Sequence, residues 1–249
     1  MNAGTPPSRA SRAALVATAA AILIVGCSTL PSTPFARDGG GTIGDPANAG
    51  GTGGAPAAGP HRAEVAEEEI SPEQREVVET AGSLVGREKL RVNGRRFRFD
   101  CTGTILAAYY GAGIDLEREM KAYSGNGVAR LYKLSRDKGL LYEGERPRPG
   151  DVIFWDNTYD RDGDGQWNDR LTHAGVVIRT YEDGSVDYVH HNYREGIVVA
   201  RMSLAAPDRH RDGEVLVNSP MRMKSHRSLR PSHWLASHLY RSAGMLYRL

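Results

Sequence analysis

The hydrophobic period changes once along this chain, at the PRPGD stretch that ends in Asp151, and that change dictates the fold class. Before it, apolar residues recur at helical spacing. Ser71, Pro72 and Gln74 form an N-cap, a first-turn proline and a capping box. Val77, Val78, Ala81, Leu84 and Val85 then repeat every three or four residues until Gly86. Ile105, Leu106 and Tyr109 continue a second helix from Cys101, broken at Gly111 and Gly113, and Val128, Leu131 and Leu134 mark a third in GVARLYKLSRDKG. After Asp151 the period is two: DVIFWD, THAGVVIRTY, VDYVHHN, GIVVARM and EVLVN read as strands. Helices first and an antiparallel sheet after them make an α+β fold.

The N-terminus sets the compartment. Residues 1–12 carry Arg9 and Arg12 without an acid, and residues 13–26 are an apolar run too short to span a bilayer, as a secretory signal has. The run ends in IVGC, which resembles the lipobox of bacterial lipoproteins. That resemblance implies lipidation at Cys27 within a signal segment 1–27. With Ser28 next, it also implies anchoring at the periplasmic face of the outer membrane. Residues 28–69 are rich in Gly, Ala, Pro, Ser and Thr and cannot bury enough apolar surface to fold, so they are expected to be a disordered tether. The chain has two cysteines, and a lipobox consumes one. No internal disulfide can then form, and an exported chain that keeps a single thiol, Cys101, points to a nucleophile. A formal net charge of +2 gives no argument for nucleic acid.

Cys101 stands at the start of a helix, where the partial positive charge is expected to favour a thiolate. A thiolate needs a base and a group to orient that base. His173 lies in THAGVVI beside the small Ala174 and Gly175. His190 and His191 lie on opposite faces of the next strand, so one of them can reach the far nitrogen of His173. A zinc site built from Cys101, His173 and His190 is the competing reading, but ligand pairs at zinc-finger or HExxH spacing are lacking.

FDCTG opening an apolar helix, then PGDVIFW, THAGVVI and YVHH, resemble in order the NlpC-type peptidoglycan cysteine peptidases, over roughly residues 70–218. The resemblance implies a papain-like fold with the nucleophile at a helix N-terminus packed on an antiparallel sheet. It also implies Cys101 as nucleophile, His173 as base and His190 as orienter, acting on peptidoglycan with no cofactor for catalysis, as a monomer. The related CHAP amidases would instead make Asn192 the orienter. Thr102 stands where the family has Ser, and GREKL lacks the substrate-binding Tyr often found after the first helix.

The segment 156–171, between two of the strands, is longer than the family's hairpin and carries its own signal. Asp160, Asp162, Asp164, Gln166 and Asn168 follow the oxygen-rich DxDxDG spacing of a calcium loop, with Gly165 at the turn. Leu171 occupies the twelfth position, so Asp169 or Asp156 would have to supply the last carboxylate. The stretch GRRFRF before Cys101 can steer an anionic polymer. Residues 219–249 form a basic extension in which Trp234, Leu235, Leu239 and Tyr240 are expected to be a helix packed on the domain. These readings converge on a lipid-anchored cell-wall cysteine hydrolase. A non-catalytic, calcium-stabilised envelope scaffold and an acyl transferase of the same superfamily are the alternatives.

Overall fold

Ser71 starts the first helix as its sequence dictates. In the computed structural model, which describes Glu64, Ala66, residues 68–222 and residues 232–249, Ser71 Oγ accepts from the Gln74 N–H at 3.2 Å, and Gln74 Oε1 accepts from the Ser71 N–H at 3.0 Å. Helix α1 (Pro72–Ser83) buries Val77 and Ala81, with Leu84 buried at its C-cap. Gly86, at a φ of +74°, then turns the chain so that its N–H reaches the Ile197 carbonyl. A small hairpin follows, β1 (Arg91–Val92) and β2 (Arg95–Arg96), turning through Asn93 and Gly94, both at positive φ. That Asn-Gly pair favours a tight hairpin turn, and the basic stretch around it had concealed the strands.

Helix α2 (Cys101–Gly111) begins at the thiol, with Asp100 as N-cap accepting from the Gly103 N–H at 2.7 Å. Gly103 is required by space, because a Cβ there would stand 1.9 Å from the Arg98 carbonyl oxygen. After the short α3 (Leu116–Glu119), α4 (Gly127–Asp137) is capped by Asn126 and turns Val128, Leu131 and Leu134 inward. A Cβ at Gly127 would meet Thr102 Oγ1 at 2.4 Å, so α4 starts hard against the first turn of α2.

The sheet has six strands: β3 (Leu141–Tyr142), β4 (Val152–Trp155), β5 (His173–Thr180), β6 (Ser185–Asn192), β7 (Gly196–Ser203) and β10 (Tyr240–Gly244). Their order is β3-β10-β4-β5-β6-β7, and every neighbouring pair is antiparallel. A second hairpin, β8 (Arg211–Asp212) with β9 (Val215–Leu216), stands apart from it. The EVLVN segment therefore supplies only two strand residues, and its Asn218 instead stitches the loop, accepting from Ser203 N–H and donating to the carbonyls of Ala206 and Arg209. Val152, Phe154, Ala174, Val176 and Val189 pack under the helices, while Ile153, Trp155, Val177 and Tyr188 form a second core on the other face. Each buried valine, isoleucine and phenylalanine among them contributes roughly 1.5–3 kcal/mol by leaving water.

Two expected boundaries move. The C-terminal segment is not a helix lying on the domain: after the one-turn α5 (Ala236–Leu239) it enters the sheet as β10, between β3 and β4. Its small residues hide this, since Gly244 has Ser135 Oγ 2.9 Å and Phe154 3.3 Å from where a Cβ would stand. The ordered domain also starts before residue 70. Ala66 N–H donates to the Thr180 carbonyl, Glu64 accepts from the Glu182 N–H, and Glu68 pairs with Arg146. The signal segment 1–27 with Cys27, and the tether up to residue 63, lie outside the described residues. No helix among the described residues is long and apolar enough to cross a membrane.

Candidate active site

Helix α2 packs on β5 and β6, which brings the thiol to the start of β5. Thr172 lines the same groove as Cys101, and the Ala174 backbone amide acts on the sulfur. His173 lies between those two residues in the chain, so its backbone is placed at the thiol's side of β5. On β6, His190 falls opposite Gly175, following the register that pairs Val176 with Val189. A Cβ at Gly175 would come within 2.9 Å of the Val189 carbonyl oxygen and 3.2 Å of His190 Cβ. The missing side chain lets His190 reach diagonally to His173, and the two rings meet edge to face with His173 Nε2 2.8 Å from His190 Nδ1.

Of the three candidate orienters, it is His190 that touches His173. Asn192 Oδ1 accepts from the N–H groups of Arg194 and Glu195 and closes the β6–β7 turn instead. His191 faces the other way, edge-on to Phe99 at 4.6 Å. With Nε2 engaged by His190, Nδ1 is the nitrogen of His173 that remains for the thiol. If His173 accepts a proton at Nδ1, its resting proton is on Nε2, donated to His190 Nδ1.

The electrostatics differ from the thiolate expected of a helix N-terminus. Burial pushes the Cys101 thiol up, and the Asp100 carboxylate adds to it; the Thr102 hydroxyl and the amides of Ala174 and Thr102 pull the other way but do not prevail. Burial, with the neighbouring His190 and His191, holds His173 well below the usual imidazole range. Burial and then His191 bring His190 down to about 4. The resting state is therefore a neutral thiol beside two neutral imidazoles. The groove, of ≈ 600 Å³, is lined by Phe97, Arg98, Met120, Asn126 and Tyr159 as well as Cys101 and Thr172. A second hollow, between α1 and Tyr247–Leu249, contains neither thiol nor imidazole.

The acidic segment lies along this groove. Asp160 and Asp162 converge with Asp169, one carboxylate oxygen of each lying within 4.8 Å of the others. Asp164 turns inward on the loop, accepting from the Gln166 N–H and the Asn168 side chain. Asp156 is occupied by Arg241 and the Leu171 N–H. Sequence spacing had not singled out Asp169 over Asp156, because only the fold shows which carboxylate lacks a protein donor.

Comparison with family models matches residues 86–213 to the NlpC/P60 family. No curated protein matches the chain.

Proposed function

This chain belongs to the NlpC/P60 family of cell-wall peptidases, and on that premise we propose that it is a cysteine hydrolase cleaving a peptide or amide bond of peptidoglycan through Cys101, His173 and His190. The observation that carries this reading is the 2.8 Å His173–His190 contact at the strand end beside the only described cysteine. Cys101 Sγ attacks the scissile carbonyl carbon while His173 Nδ1 takes the thiol proton. The oxyanion is met by the Cys101 backbone N–H, which at the first position of α2 has no intrahelical acceptor. The imidazolium keeps its Nε2–H on His190 Nδ1 and then gives the Nδ1 proton to the leaving amine. Water, activated by the same nitrogen, releases the acyl group from sulfur.

Proton transfer and attack have to be coupled in this scheme, since neither a free thiolate nor a free imidazolium is stable in the site at rest. Arg96 and Arg98 line the groove and suit the carboxylates of an acidic stem peptide. A lipid anchor at Cys27 would hold the domain at the periplasmic face of the outer membrane, the tether giving it reach to the wall. The test is mass spectrometry of purified peptidoglycan after incubation with the wild-type chain and with Cys101→Ala. Fragments that appear only with the wild type identify the bond; intact wall from several sources, with folded protein and a free thiol, would sink the hydrolase reading.

A further inference from the structure

The loop between β4 and β5 holds a carboxylate that the protein itself does not satisfy. Asp169 is fully buried, and neither of its side-chain oxygens has a hydrogen-bond partner. Arg161 Nε stands 3.9 Å from Oδ1, beyond hydrogen-bonding distance, and its Nη1 donates to the Arg170 carbonyl. Burying an ionised carboxylate without donors is strongly unfavourable. The backbone nevertheless holds it there: Asn157 and Asp169 exchange hydrogen bonds at 2.7 and 2.9 Å, Leu171 N–H donates to Asp156, and Thr158 and Thr172 bond side chain to side chain.

Asp169 points at Asp160 and Asp162, with an oxygen of each within 4.8 Å of the others. That spacing is about twice a calcium–oxygen bond, so one ion fits between all three. The oxygens of Asp160 accept from the N–H groups of Gly163 and Gly165, which fixes the carboxylate while each oxygen keeps a second lone pair. We propose that this loop binds one calcium ion through Asp160, Asp162 and Asp169, with Asp169 supplying from the tenth position of the loop the buried carboxylate that the twelfth position, Leu171, cannot. An all-oxygen set with three carboxylates on a flexible turn suits calcium better than magnesium, which demands a small, near-octahedral shell and keeps its waters.

The ion ties the tip of the loop to its returning limb, four residues before His173. Tyr159 and Thr172, which line the groove, lie at the two ends of the tied segment. The site stands on the loop alone and does not depend on Cys101 being a nucleophile.

The test is calorimetric titration of the metal-stripped full chain with calcium chloride, repeated with magnesium chloride, for the wild type, Asp169→Asn and Asp162→Asn. Saturable binding of one calcium per chain is expected. Magnesium should bind about tenfold more weakly or worse, and each substitution should weaken calcium by a similar factor. Asp162 is exposed, so its variant keeps the test decisive if Asp169→Asn fails to fold. At the same calcium concentration, the wild-type Tm should rise more than that of Asp162→Asn. Absence of saturable binding up to about ten millimolar calcium, above the roughly millimolar affinity of weak extracellular sites, would overturn the proposal, as would wild-type affinity in Asp162→Asn. Binding is read without substrate, so loss of wall cleavage cannot be mistaken for loss of the site.

Discussion

Replacing His190 by Gln tests the neutral, buried state of the imidazole that meets His173. Glutamine keeps an acceptor for the His173 Nε2–H and cannot titrate. His190 is 5% exposed, and burial lowers it from 6.5 to about 4. The unfolded chain therefore binds a proton that the folded chain refuses. Stability from this group is complete above pH 6.5 and is lost as pH falls toward 4, by about 2 kcal/mol at pH 5 and about 3 kcal/mol at pH 4. His173, lowered further by burial, loses stability in the same direction. Asp151 works the other way: burial raises it to about 6, so its contribution is present below the ordinary carboxylate value and lost as pH rises through 6. The Asp151 contribution is shared and cancels in the difference, as does the part of the His173 shift that comes from burial; the smaller part due to His190 is removed with it and adds to the difference in the same direction. Urea unfolding at pH 4, 5, 6 and 7 should thus show the wild type losing about 3 kcal/mol more than His190→Gln between pH 7 and pH 4. Parallel curves would refute the account, because a solvated imidazole at this position gives no such difference.

Asp100→Asn keeps the helix cap but removes the carboxylate that, after burial, does most to raise the Cys101 thiol; the pH midpoint of iodoacetamide labelling should move down, and an unchanged midpoint would leave burial as the whole cause. Gly175→Ala puts a methyl 3.2 Å from His190 Cβ, so kcat should fall by about tenfold or more with KM little changed; equal activity would mean the His173–His190 contact is dispensable. Deleting residues 240–249 removes an interior strand of the sheet, and near-ultraviolet circular dichroism should show loss of tertiary packing, whereas a segment merely resting on the domain would leave the signal intact.

What the sequence made legible follows from how local each signal is. The capping box at Ser71, the switch of period after Asp151 and the order of Cys101, His173 and His190 all sit in contiguous stretches, and each appears in the fold where the pattern placed it. The six-stranded arrangement was only partly readable. Tyr240–Gly244 lacks the alternation of a strand because α4 and Phe154 leave no room for large side chains above it, and Arg241 lies where the register shifts, reaching Asp156 and Tyr132. That His190 and not Asn192 meets His173 depends on cross-strand register and on a turn that occupies the amide. Asp169 was named only as one of two substitutes, since burial without a donor is a property of three dimensions.

The charge state of Cys101 shows how a local rule yields to its surroundings. A helix N-terminus alone lowers a thiol; here desolvation, reinforced by Asp100, outweighs the amides of Thr102 and Ala174. Oxidation of sulfur follows thiolate character and exposure, so burial and a raised thiol pKa protect Cys101, and among the described residues there is no second cysteine for it to pair with. Under the proposed mechanism the cost falls on the attack, which must move the proton to His173 as the carbon–sulfur bond forms. In that scheme His190 offsets part of the cost: being neutral itself, it would accept from the imidazolium without adding a second positive charge to a site that solvates charge poorly. On that proposal, low reactivity toward small alkylating agents and competence toward a bound amide are compatible, because only a positioned carbonyl supplies the oxyanion that balances the His173 charge.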